Sequence, residues 1–152
     1  MVTRLFPLNV KVSFEDGPYK LGETINLTVE LSPKRDMEVR EGRVDLVREE
    51  VWREVFTVMI EVRGHSPLSS GHAPSVPQQR TKTSREALVH SSVVFLRDTR
   101  LTAGRTASYD ARLVIEPEPP HAREGKVSWR LVTTADIAGA RDIKARRLVK
   151  VT

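Results

Sequence analysis

The chain contains no cysteine, only two tryptophans and two tyrosines in 152 residues, and no apolar run approaching the ~20 residues of a membrane-spanning helix. Without cysteine there is no disulfide framework, no thiol nucleophile and no thiolate ligand, and a reducing, cytoplasmic setting is the expectation. With so few aromatic rings, valine and leucine must build the core. Residues 1–7 lack the apolar stretch of a signal peptide, so a soluble protein with no transmembrane segment is expected. The four histidines (His65, His72, His90 and His121) show neither His-x-His nor His-x-x-x-His spacing, and no metal site is expected from them. No Gly-x-Ser-x-Gly elbow and no Gly-rich phosphate loop is present. Glu49 with Glu50, and Glu116 with Glu118, read as solvated carboxylates rather than acid/base pairs. No catalytic residue and no cofactor is therefore expected.

What is present is a chain of one-domain length with 39% apolar residues and 25 basic against 20 acidic side chains, a net charge of +5. The charge is dispersed and comes without a base-stacking aromatic motif, so nucleic acid is not an expected partner. The dominant pattern is alternation with a period of two. Leu8, Val10, Val12 and Phe14 alternate with polar residues. So do Ile25, Leu27, Val29 and Leu31, after turns at Asp16-Gly17-Pro18 and Gly22 and before Pro33. Residues 38–63 are ambiguous, because their valines recur every three or four positions as in a helix. The β-branched composition favours strands instead, and two strands broken near Glu49-Glu50 are expected.

Between residues 64 and 85 the alternation stops. This stretch holds three prolines, two glycines and seven Ser or Thr with no acidic residue, and it reads as a flexible insertion. It also holds the basic cluster Arg80, Lys82 and Arg85, a candidate partner-binding loop for a phosphate, an acidic peptide or a lipid head group. From Ala87 to Arg97 apolar residues occupy both faces, as in a central strand. From Leu101 onward Tyr109, Ala111, Leu113 and Ile115 alternate, and a loop with Pro117, Pro119, Pro120 and Gly125 follows. Val127, Trp129 and Leu131 then share a face, with Trp129 expected deep inside near Tyr109 or Leu113. The last strand, 143–151, breaks phase at Arg147, which implies a β-bulge or an edge position. Its Lys144, Arg146 and Lys150 read as the solvated side of such an edge. About eight strands at this spacing describe an all-β, immunoglobulin-like antiparallel sandwich over residues 1–152.

Two segments carry a family resemblance. The Gly turn, proline-rich loop, Gly-x-x-x-Trp-x-Leu strand and Asp-x-x-Gly-x-x-Asp link of the second half resemble the later part of an arrestin lobe. Tyr19-Lys20-Leu21-Gly22-Glu23 resembles that family's Tyr-x-Pro-Gly-Glu turn, with Leu21 in the proline position. The chain has room for one such lobe and is similar to the minimal microbial, sporulation-control type. The family's phosphate-sensing lysine pair and buried polar core find no match, so no functional residue is carried over. The resemblance implies a non-enzymatic adaptor or scaffold with an unknown protein partner, including a homo-oligomer through an exposed strand edge. The alternative is a binder of anionic surfaces (acidic lipid, phosphorylated peptide or nucleic acid) through the basic loop, with peripheral membrane contact.

Overall fold

Period-two alternation becomes seven strands in the computed structural model, which describes residues 6–61, 75–120 and 122–152. They are β1 (Leu8–Ser13), β2 (Thr24–Pro33), β3 (Met37–Glu61), β4 (Ser75–Leu101), β5 (Ala107–Val114), β6 (Lys126–Ile137) and β7 (Ile143–Val149). No helix is present among the described residues. A three-stranded antiparallel sheet, in the order β1-β2-β5, packs against a four-stranded one, β4-β3-β6-β7. The inward residues of each sheet form one core. Ile25, Val29, Leu31 and Leu113 from the first sheet, with Ile115 just beyond β5, meet Val39, Val44, Leu46 and Leu131 from the second. Each such side chain removed from water contributes roughly 1.5–3 kcal/mol.

One side of the sandwich is closed where β1 and β7 lie next to each other. Arg147 points inward from β7, donates a 2.8 Å hydrogen bond to the Val12 carbonyl and sets its guanidinium over the Phe14 ring. The phase break in the last strand is therefore an edge effect: β7 pairs with β6 in unbroken register, and no bulge occurs over 143–149. Beyond it, Tyr19 bridges in parallel to Val151.

Several expectations need correction. Residues 37–61 are one strand of 25 residues, not two strands broken at Glu49-Glu50. Both glutamates continue it, Glu49 outward and Glu50 inward. The helix-like valine spacing arises because Val44 faces the core while Val47 and Val51 face outward, with register shifts at Gly42/Arg43 and Leu46/Val47. Gly42 sits where a Cβ would come within 2.6 Å of the Phe95 ring, so the first of these bulges depends on glycine. The stretch Ala87–Arg97 is part of β4, an edge strand and not a central one. Its apolar residues alternate poorly because bulges opposite β3 change their facing. Residues 75–85, expected inside a flexible insertion, are strand. Residues 64–74 lie outside the described residues.

Candidate functional site

β3 outruns its other neighbour. β6 pairs with it only from Val39 to Val51, whereas β4 pairs with it as far as Glu61↔Ser75. Residues 52–61 and 75–84 therefore form a two-stranded ribbon roughly 30–35 Å long at strand rise. Why these residues extend the hairpin is legible on β3: Trp52, Phe56, Val58 and Ile60 alternate with Val55, Thr57 and Met59, all strand formers. The β4 side is polar, and its threonines and serine lie opposite β-branched or aromatic partners: Thr81 faces Val55 and Ser84 faces Trp52.

The ribbon is held at its base by a buried carboxylate. Glu50 accepts hydrogen bonds from the backbone N–H of Arg123, at 2.9 and 3.0 Å to its two oxygens, and of Gly125, at 2.8 Å. It also pairs with buried Arg48 at 3.4 Å. The Gly125 N–H, chief among these donors, holds the Glu50 carboxyl below its ordinary range, with the Arg123 N–H and Arg48 adding to it against the cost of burial. Gly125 is required here, because a Cβ would lie 2.3 Å from the Val51 carbonyl oxygen. The proline loop is thereby drawn across the ribbon base, where the Arg123 guanidinium covers Trp52 at 4.7 Å and pairs with Glu86 at 3.4 Å. Further out, Glu54 accepts from Trp52 Nε1 and Ser84 Oγ, both at 3.0 Å. These bonds, the indole's first, lower its carboxyl as well.

Past that point the ribbon presents apolar side chains to solvent on both faces. Val55 is 66% exposed and Met59 61%, with Phe56 and Val76 also exposed. An isolated two-stranded hairpin is marginal in water, and ordering each backbone residue costs about 1–2 kcal/mol. A long ribbon that leaves these side chains bare exposes a contiguous apolar surface, unlike the scattered single apolar residues of an ordinary protein exterior.

The predicted basic residues lie on this ribbon and at its base. Arg80 stands opposite Phe56 and donates to Gln78. Lys82 lies opposite Glu54, pairs with it at 3.4 Å and lies over the Phe56 ring. Arg85 faces the other way and pairs with Glu49 at 3.5 Å. The three are on a strand, not a loop, and do not share one face. The carboxylates that balance Lys82 and Arg85 come from β3, some 30 residues earlier, which no local count of charge could reveal. Sequence reasoning missed Glu50, Trp52, Arg123 and the ribbon itself. The one available signal was the clean alternation from Phe56 to Val62.

Trp129 is 9% exposed, as expected of an inward residue. Its ring partners are His90, edge-on at 5.2 Å, and Arg48 at 6.0 Å, while Tyr109 meets Phe95 instead. Trp129 also lines an open cleft of about 860 Å³ with Phe14, Pro18, Val127 and Leu148. Among the described residues, the groups whose protonation is displaced are Glu50, Glu54 and Tyr19, the last raised by burial and then by Glu15, Asp16 and Glu23. None of the three lines that cleft. His90 places Nε2 2.9 Å from the Glu116 carbonyl. His65, His72 and His121 lie outside the described residues.

No protein-family model matches the chain, and no curated protein matches it. Among solved structures, the chain is similar to Spo0M, a sporulation control protein from Bacillus subtilis. The TM-score is 0.67 at 17% sequence identity, over 97% of this chain and 50% of that one. The chain thus spans about half the length of that neighbour. Its fold is the arrestin-like β-sandwich of the Spo0M type.

Proposed function

We propose that this chain is a non-enzymatic adaptor module that binds a protein partner through the β3–β4 ribbon. The observation that carries the reading is the ribbon's unpartnered apolar surface, Val55, Phe56, Met59 and Val76, standing clear of the core. Arg80 and Lys82 flank Phe56 and fix the polarity of the partner they meet, while Arg85 belongs to the base. A regulatory role of the kind named for Spo0M fits such a module, and the lack of cysteine supports a cytoplasmic setting. Pairing of two copies through the free edge of β4 is disfavoured by Pro77, which lacks an N–H, and by the cations along that strand.

The test is affinity capture from the native cell with the wild-type chain and with Val55→Ser, Phe56→Ser, Met59→Ser and Val76→Ser combined. A partner recovered by the first and lost by the second, with both folded by circular dichroism, supports the ribbon. An identical set of captured proteins sinks it.

A further inference from the structure

The outer sides of the two sheets differ in charge. On the three-stranded sheet, Lys11 and Arg112 are balanced by Glu30 and Asp110. On the four-stranded sheet the outward side chains of β6 and β7, with Lys150 just beyond, include Lys126, Arg130, Lys144, Arg146 and Lys150 against a single carboxylate, Asp136, which lies at the far end past the last β6–β7 pair. Arg130 is neutralised by Glu49 at 3.1 Å. Among the described residues the other four make no ion pair. In their midst lies Leu148, paired with Arg130 across the strands and 80% exposed.

We propose that this outward β6–β7 face docks on an anionic lipid bilayer. The argument is charge complementarity joined to shape. Four unpaired cations on a sheet surface meet a plane of phosphate and carboxylate head groups without needing a matching contour. A single bare leucine among them suits the boundary where head groups give way to acyl chains. Nucleic acid is a poorer fit, because the outward β6–β7 face carries no aromatic ring for bases to stack on. An acidic protein is a poorer fit as well, because one isolated leucine is no apolar centre for a protein interface. The ribbon is not involved, so the proposal stands apart from the adaptor reading.

Co-sedimentation with phosphatidylcholine vesicles, with and without phosphatidylserine, tests it on the full chain. Binding is expected only with phosphatidylserine and is expected to weaken steeply with salt. Lys144→Gln with Lys150→Gln should weaken it about fivefold per charge removed. Leu148→Ser should weaken it less and leave the salt dependence unchanged. Lys11→Gln with Arg112→Gln, on the opposite sheet, should leave it intact. All these positions are exposed, and melting curves will show that the variants fold. No sedimentation with phosphatidylserine overturns the proposal. So does binding that Lys144→Gln with Lys150→Gln leaves unchanged, or a complex with RNA or polyglutamate that is tighter than the one with vesicles.

Discussion

The three-stranded sheet is the plainer half of the molecule. Each of its strands alternates without a bulge, its inward residues are apolar, and its outer side is neutral. The four-stranded sheet departs from every one of those rules. It buries Arg48 and Glu50 on its inward side, carries three register shifts on β3, projects the ribbon, and gathers cations on its outer β6–β7 strip. Local rules suffice where a strand has one wet and one dry face. Where a strand must serve a sandwich at one end and a free ribbon at the other, each departure has a partner distant in sequence. Both proposed contact surfaces lie on the second sheet for the same reason.

The largest expected effect probes whether the second sheet's core is as firm as the first despite its polar neighbours. Trp129→Ala should cost about 3–5 kcal/mol in denaturant unfolding, since the ring is nine-tenths buried and its removal opens a cavity beside Arg48 and His90. A cost below about 1 kcal/mol would place the indole outside the cooperative core.

Next comes the clamp at the ribbon base. The Glu50 carboxyl is held below its unfolded value by the Gly125 and Arg123 amides and by Arg48. Its contribution to stability is therefore present above the ordinary carboxylate range and is lost as pH falls through the lowered value. Glu50→Gln should lower the melting temperature at neutral pH, and the gap to wild type should close on acidification. A gap that stays constant with pH would mean the carboxylate's charge is not what holds the loop. Gly125→Ala attacks the same contact sterically and should cost about 1–3 kcal/mol, read from the same melts.

How much was legible follows the same division. The alternation of Ile25 to Leu31 and of Tyr109 to Ile115 placed β2 and β5 correctly, and the inward setting of Trp129 was visible from Val127 and Leu131. The resemblance to an arrestin lobe was carried by turns that the fold contains. The ribbon's second strand was not legible. Residues 75–85 face solvent on both sides, so they show no alternation, and prolines and serines there read as loop. They are strand because β3 beside them is. Glu50 looked solvated next to Glu49 because only the third dimension sends one glutamate inward, to two amides some 75 residues later.

The smallest expected effect on stability falls on the ribbon itself, and it bears most directly on what the ribbon is for. Beyond Trp52 its side chains touch little but their cross-strand neighbours: Val55 and Met59 are largely in water, and Phe56, 39% exposed, is covered on the ribbon by Lys82. A surface substitution of this kind usually changes stability by no more than about 0.5 kcal/mol. Phe56→Ser should therefore leave the unfolding midpoint almost where it was while removing the ring that Lys82 covers. A cost of about 2 kcal/mol or more would mean that Phe56 is packed against the chain's own core, leaving no ribbon surface to offer a partner. Near-silent unfolding combined with lost capture of the partner would divide the molecule as the two sheets do, into a part that holds the fold and a part that the fold holds out.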